Sequence, residues 1–180
     1  GSHNTFVGDN AGSATTTASN NTAVGADALL VNTTGSGNVA VGYLAADANT
    51  TASGNTAVGG WALSSTTTGD QNTAIGSTTL FDNTTGEYNT AVGYEALANN
   101  TTASNNTAVG WQAGLATTTG ASNTFLGQYS GSANTTGNYN TAVGALSLDA
   151  NTTAANNTAV GYQAGTANTT GAAITAVGKS

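Results

Sequence analysis

Residues that could act as a catalytic acid, base or metal ligand are few and scattered in this chain of 180 residues. There is one histidine, His3, close to the start, and no cysteine. The eight acidic residues form no recurring pair, and even Asp47 and Asp149, which share a position in the repeat defined below, lie six repeats apart. Acid–base and metal-assisted catalysis need such groups to converge in one pocket. The sequence therefore predicts a non-catalytic protein with no catalytic, metal or cofactor-binding residue.

Threonine pairs recur at strict intervals, and they are candidates for binding a surface. The second threonine of each pair belongs to a rank of ten residues spaced by 17: Thr17, Thr34, Thr51, Thr68, Thr85, Thr102, Thr119, Thr136, Thr153 and Thr170. A flat array of methyl and hydroxyl groups could order water and bind ice. The structural alternative is that threonine simply favours β-strands. Against ice binding, the rank two residues upstream is mostly asparagine, with threonine only at Thr15, Thr66 and Thr117.

The same segments contain Asn-Thr-Thr, which is an N-glycosylation sequon. It occurs at Asn32, Asn49, Asn83, Asn100, Asn134, Asn151 and Asn168. The repeat itself dictates the triplet, so the match is weak evidence for glycosylation. Glycans attached there would block an ice-binding face.

Aromatic side chains form a second candidate surface. Six of them follow closely after a recurrent glycine: Tyr43, Trp61, Tyr94, Trp111, Tyr129 and Tyr162. They predict either an edge that packs on a neighbouring chain, which is the favoured use, or platforms for sugar rings. Phe6 and Phe125 replace a recurrent alanine and need extra room, and contact with a partner chain would explain them.

Composition excludes several functional classes. The net charge is −7, with one lysine and no arginine, so no basic patch is available for nucleic acid or anionic membranes. No apolar run is long enough to cross a bilayer. The absence of cysteine fits an extracellular protein that needs no disulfides. No signal peptide is recognisable, so an exported protein would be represented by an internal fragment.

One internal repeat accounts for the spacing of all these residues. The string Asn-Thr-Ala-Val-Gly recurs with small variations, and its glycine falls every 17 residues from Gly8 to Gly178 without an insertion. Ten full repeats span 4–173, a partial repeat covers 174–180, and we expect a single domain over 1–180. Repeat positions are numbered here from 1 to 17, starting at the asparagine of that string. The opening 1–3 fits either a cloning remnant or the end of a repeat.

Two short β-stretches are expected in each repeat, one at positions 1–4 and one centred on Asn-Thr-Thr at positions 12–14. Each would pair with its equivalent 17 residues away, which predicts an all-β parallel solenoid. Coils stacked at the interstrand spacing would form a rod on the order of 45–50 Å long. The asparagine at position 1 is expected to form a structural ladder.

Side-chain alternation predicts which positions face inward. The aliphatic residue at position 4 should point into the coil together with the position 2 threonine, while the asparagine at position 1 and the alanine at position 3 point the other way. In the second stretch, either position 13 or positions 12 and 14 face inward. Asp82 and Asn99 at position 11 slightly favour odd positions facing outward.

The repeat resembles the head repeats of YadA-like trimeric autotransporter adhesins. It is also similar to related repeats in phage tail fibres and in bacterial surface proteins that end in an endosialidase-type chaperone domain. The match covers essentially the whole chain, for example at 89–94 and 157–162. The resemblance implies a left-handed parallel β-roll, usually with three chains side by side in an exported fibre. The threonine at position 2 departs from the family, where an aliphatic residue is common.

Taken together, the sequence predicts a structural, adhesin-like rod segment of an extracellular fibre, a cell-surface protein or a phage tail, assembled as a homotrimer. The alternative function is ice binding through the threonine and asparagine ranks. A third is glycan binding at the aromatic corners. Candidate ligands are therefore a host surface, a glycan or ice, and neither nucleic acid binding nor membrane insertion is expected.

Overall fold

The computed structural model describes residues 1–179, which contain eleven short β-strands and no helix. Every strand has three residues and occupies positions 2–4 of its repeat. The strands are β1 Thr5–Val7, β2 Thr22–Val24, β3 Val39–Val41, β4 Thr56–Val58, β5 Thr73–Ile75, β6 Thr90–Val92, β7 Thr107–Val109, β8 Thr124–Leu126, β9 Thr141–Val143, β10 Thr158–Val160 and β11 Thr175–Val177.

All eleven strands form one parallel sheet in which spatial order follows sequence order. Each strand pairs with the equivalent residues of the next repeat, so that Thr22 lies opposite Val39 and Ala40 opposite Ala57. The chain therefore makes one turn of a β-solenoid for each 17 residues, with about ten turns in all. The predicted all-β parallel solenoid is confirmed.

Glycine at position 5 ends each strand because the backbone there adopts a conformation that other residues rarely take. The φ angles at this position run from 116° to 139°. A Cβ added to Gly59 would also lie 2.5 Å from the carbonyl oxygen of Gly76 in the next coil. Both the conformation and the tight stacking therefore require glycine.

The Asn-Thr-Thr segment is a bend, so the prediction of a second strand in each repeat is wrong. The backbone amides of Thr33 and Thr34 both donate to the carbonyl oxygen of Thr50, at 2.9 and 3.3 Å. Two successive amides that share one acceptor cannot continue the alternating ladder of a strand. The segment still stacks on the next coil through these bonds.

The predicted orientation of the strands is also wrong. The alanine at position 3 is fully buried from Ala23 to Ala159 wherever alanine occupies that position, whereas Ile75 and Val109 at position 4 are 41% and 38% exposed. The interior is narrow, so it accepts the small side chain and the larger aliphatic residue turns outward. Position 1 and position 3 do share a face, as predicted, but it is the inner one.

Leucine at position 9 fills the core opposite the alanines of position 3. Leu29, Leu63, Leu80, Leu97 and Leu148 are all fully buried and belong to one continuous apolar cluster with those alanines. Each has a positive φ between 48° and 54°. Burial of these side chains offsets the cost of the left-handed backbone.

Phe125 lies inside this core, so the partner contact predicted for it is wrong. Its exposed fraction is 0%, and the space for its ring comes from Gly114 and Gly131 at position 9. A Cβ on Gly114 would lie 2.7 Å from a ring carbon of Phe125. In the same way Phe6 packs its ring against Gly12. Phenylalanine at position 3 therefore accompanies glycine at position 9, which keeps the core volume balanced.

Candidate functional site

Two buried ranks of asparagine hold the coils in place and thereby position the outer surfaces. At position 1, the backbone amide of Asn38 donates to Oδ1 of Asn21 in the preceding coil over 2.8 Å, and equivalent bonds recur along the rod. At position 12, Nδ2 of Asn100 donates to Oδ1 of Asn83 over 2.8 Å. The position 1 rank is bonded from coil to coil throughout, whereas at position 12 the Oδ1 of Asn100 and the hydroxyls of Thr15 and Thr117 are buried without a hydrogen-bond partner. The predicted structural role of the position 1 asparagines is confirmed.

The sequon asparagines are the residues of this second rank, and they point into the coil. Asn32, Asn83 and Asn134, for example, are fully buried, and each donates to a backbone carbonyl three residues downstream. A glycan on such a side chain has no room in the folded solenoid. Asn168, in the last full repeat, is only partly covered.

The threonine rank at position 14, from Thr17 to Thr170, is exposed in all ten full repeats. Its neighbours at position 13 are mostly half-buried, and their hydroxyls are occupied: Oγ1 of Thr33 donates to the carbonyl oxygen of Thr50 over 3.0 Å. Position 12 faces inward, as Thr66 and Thr117 show with 1% and 0% exposure. The orientation left open by the sequence is thus resolved, and positions 12 and 14 do not form one Thr-x-Thr surface.

The outer face of the sheet was not identified from the sequence. It carries the threonines of position 2 and the aliphatic residues of position 4, half-buried or exposed along the entire sheet. We call this surface the strand face. One signal in the sequence could have identified this face. Where position 3 changes from Ala to Phe, position 9 changes from Leu to Gly, and this compensation in volume places position 3 inside the coil and positions 2 and 4 outside.

The six aromatic residues predicted after the glycine do lie on the surface. Tyr43, Trp61, Tyr94, Trp111 and Tyr162 are between 41% and 50% exposed, and Tyr129 is half-buried. The structure brings two pairs together. The ring centroids of Tyr43 and Trp61 are 5.3 Å apart with an interplanar angle of 82°, and those of Trp111 and Tyr129 are 5.0 Å apart at 49°.

Polar groups accompany the rings at the same corner. Nε2 of Gln112 donates to Oε2 of Glu95. A side-chain hydrogen bond with Glu95 and the negative charge of that carboxylate raise the pKa of Tyr94. Lys179 has its Nζ 6.0 Å from the ring centroid of Tyr162. The corner therefore combines aromatic rings with a carboxylate and an amide.

Two exposed tyrosines at position 17 were missed by the sequence reasoning. Tyr88 and Tyr139 are 51% and 65% exposed and lie at the corner that precedes the strand, on the opposite side from position 6. Their position is variable between repeats, and only exposure in the folded coil distinguishes them.

The acidic residues form no metal-binding cluster in the described part of the chain, although the charge of Asp27 acts on Asp47. In residues 1–179 no three His, Cys, Asp or Glu side chains come close enough to hold a metal ion. Burial raises the pKa of Asp47, although Oγ of Ser64 donates to its carboxylate over 2.7 Å. Burial also raises the pKa of Asp149, whose Oδ1 is buried without a hydrogen-bond partner. Within the described part of the chain, no helix could span a membrane.

Comparison of the chain with protein-family models, with curated proteins and with solved structures found no match. The resemblance to YadA-like head repeats therefore stays a prediction made from the repeat alone.

Proposed function

We propose that this chain is a non-catalytic, adhesin-like rod segment of an extracellular fibre, a cell-surface protein or a phage tail, in which three copies pack side by side. The observation that carries the proposal is the strand face. It offers a rank of aliphatic side chains on all eleven strands, beside a rank of threonines that only Val39 interrupts.

A rigid spacer follows from the way the coils are joined. Every coil bonds to the next through its strand, through its corners and through the asparagine ladder, as at Asn55 and Asn72. Ten steps at the ordinary interstrand distance give a length of about 48 Å. Such a rod can hold other domains apart without itself performing chemistry.

The reason to expect assembly is the aliphatic rank of the strand face, whose side chains are half-buried or exposed in the single chain. Monomeric proteins rarely expose a long contiguous apolar surface, and burial of such a surface between chains is favourable. Three copies around a common axis would let the strand face of each copy contact both neighbours. This number of copies is taken from the resemblance to YadA-like head repeats.

Light scattering tests the assembly directly. The proposal expects a mass close to three times 17.3 kDa. A monodisperse 17.3 kDa particle at all concentrations would overturn the trimer.

Ice binding is the second candidate, and one observation favours it. The threonines of position 14 form an exposed rank with one hydroxyl and one methyl per coil in all ten full repeats. The hydroxyls beside them at position 13 are engaged with backbone carbonyls, as at Thr50, so this candidate rests on a single free rank. A thermal hysteresis assay tests it.

A further inference from the structure

We infer that the aromatic corner binds a neutral polysaccharide chain that lies along the axis of the rod. The residues concerned are Tyr43, Trp61, Tyr94, Trp111 and Tyr129, together called the aromatic strip. This inference goes beyond the proposed rod function and does not depend on the number of copies that assemble.

The strip has a regular geometry set by the backbone. The amide of Trp61 donates to the carbonyl oxygen of Tyr43 over 2.9 Å, and the amide of Tyr129 donates to that of Trp111 over 3.0 Å. Both pairs thus join position 6 of one coil to position 7 of the next. They lie four repeats apart in sequence, or about 19 Å along the rod axis.

Between the two pairs the same diagonal contact carries polar groups. The backbone amide of Gln112 donates to the carbonyl oxygen of Tyr94 over 2.9 Å, and the side-chain amide of Gln112 donates to the carboxylate of Glu95. A ligand along the strip would therefore meet rings at both ends and a carboxylate–amide pair in between. That alternation suits a polymer of similar units better than a single small molecule.

The rings leave surface free for a ligand. In the Tyr43–Trp61 pair the planes are nearly perpendicular, so the edge of one ring meets the face of the other. Mutual packing covers only part of each ring, and Trp61 and Trp111 remain 41% and 45% exposed. An exposed aromatic face is suited to the C–H face of a pyranose ring, while planar carboxylate and amide groups bind its hydroxyls.

Charge selects the ligand class. The sequence contains one lysine, Lys179, and no arginine, and its net charge is −7. Lys179 lies beyond the strip, beside Tyr162. Glu95 is the charged side chain beside the strip, next to Tyr94. Uronic or sulfated polymers would be repelled by this field, and hydroxyl-bearing neutral sugars would not.

Native affinity electrophoresis tests the inference, with gels that contain hydroxyethyl cellulose, mixed-linkage β-glucan, xylan or galactomannan. We expect at least one of these neutral polymers to retard the wild-type chain and polygalacturonate not to do so. The double variant Trp61→Ala/Trp111→Ala should lower the apparent affinity about tenfold or more. The control Tyr88→Ala/Tyr139→Ala removes two rings that are more exposed, at the corner that precedes the strand, and should bind normally.

Tryptophan fluorescence supplies a readout that needs no variant, because the two tryptophans of the chain are Trp61 and Trp111. The retarding polymer should shift or quench their emission in the wild type. Absence of retardation by all four neutral polymers, preference for polygalacturonate, or equal loss in both double variants would overturn the inference. If Trp61→Ala/Trp111→Ala instead dissociates the assembly in light scattering, the strip is a subunit contact: the glycan inference fails and the rod proposal stands.

Discussion

The side-chain amides of Asn21 and Asn32 both donate to the carbonyl oxygen of Gly35, each over 2.9 Å. One asparagine precedes the strand and the other lies in the Asn-Thr-Thr bend, so the shared acceptor ties the two sides of the coil together. The same convergence recurs at Ala52, Gly86, Ala103, Gly137 and Ala154. A narrow core of alanine is thus reinforced by an internal polar network.

Replacement of Asn89 by alanine should destabilise the fold. Its Nδ2 donates to the carbonyl oxygen of Ala103, and its Oδ1 accepts from the backbone amide of Asn106, which would be left buried without a partner. We expect a loss of about 1–3 kcal/mol in the free energy of unfolding, measured by urea denaturation. Asn99→Ala removes an exposed asparagine and is the control. Equal midpoints for the two variants would contradict the role of the ladder.

The pairing of Phe125 with Gly131 predicts strong coupling between two substitutions. Phe125→Ala alone should cost about 3–5 kcal/mol through the cavity it leaves. Gly131→Leu alone should destabilise the fold because the new side chain would overlap the ring of Phe125. The backbone itself would allow leucine, since Leu97 and Leu148 adopt a positive φ at this repeat position. The double variant should be more stable than the sum of the single effects implies. Additive free energies in a double-mutant cycle would show that the two positions do not share space.

The partly buried carboxylate of Asp149 predicts that stability changes with pH. Burial raises the pKa of the folded state above the ordinary value of 3.8, so the unfolded chain loses its proton first as pH rises. Stability should therefore fall as pH rises from 3.8 through the raised pKa, and the loss should persist at neutral pH.

Asp149→Ser, which copies Ser132 at the same repeat position, should remove that loss. Its melting temperature should exceed that of the wild type at pH 7, and the difference should shrink at about pH 3. Asp9→Ser removes an exposed carboxylate and controls for the change in net charge. A pH-independent difference between wild type and Asp149→Ser would exclude this explanation.

Charges placed on the strand face should prevent assembly. Val58→Lys/Val109→Lys puts two ammonium groups among aliphatic side chains that the proposed trimer buries, and we expect a mass near 17.3 kDa by light scattering. Thr68→Lys/Thr119→Lys adds the same charge at position 14, away from that face, and should leave the mass unchanged. Dissociation by the position 14 pair alone would assign the contact to the threonine rank instead.

Bulky residues on the threonine rank should distinguish the two candidate functions. Thr68→Tyr/Thr102→Tyr changes two exposed side chains without touching the core. If ice binding is a function, the wild type should show thermal hysteresis and this variant should lose it while its circular dichroism is unchanged. A wild type without thermal hysteresis removes ice binding as a candidate.

The registry of the repeat was enough to predict the parallel solenoid, because an uninterrupted spacing allows each strand only one equivalent partner. It was not enough to predict orientation. Alternation shows that Val58 and Thr56 share a face, but the greater hydrophobicity of valine suggested the inner face, and the width of the interior decides otherwise. The orientation can be inferred only by comparing positions 3 and 9. Large and small residues compensate there, as Leu63 does with Ala57, and as Gly114 and Gly131 do with Phe125.

The predictions of a second strand and of a partner contact for Phe125 were wrong because neither considered how narrow the coil is and how its residues fill it. Threonine favours extended backbone, yet at Thr33 and Thr34 two amides share one acceptor, and the chain must turn to close a narrow coil. The exposure of Trp61 and Trp111 followed correctly from their place beside a variable corner. Their pairing across coils depends on the diagonal contact between positions 6 and 7, which spacing alone does not reveal.

The asparagine ladder of position 1 also gives the rod a direction. Every backbone amide in it donates toward the preceding coil, as Asn123 does to Asn106 over 2.9 Å. A further coil added in the same sense continues the row, whereas an inverted one would set acceptor against acceptor at the C-terminal end of the rod or donor against donor at the N-terminal end. A filament built from such coils is consequently polar, with distinguishable head and tail, and its bundles must align in parallel if equivalent side chains are to meet.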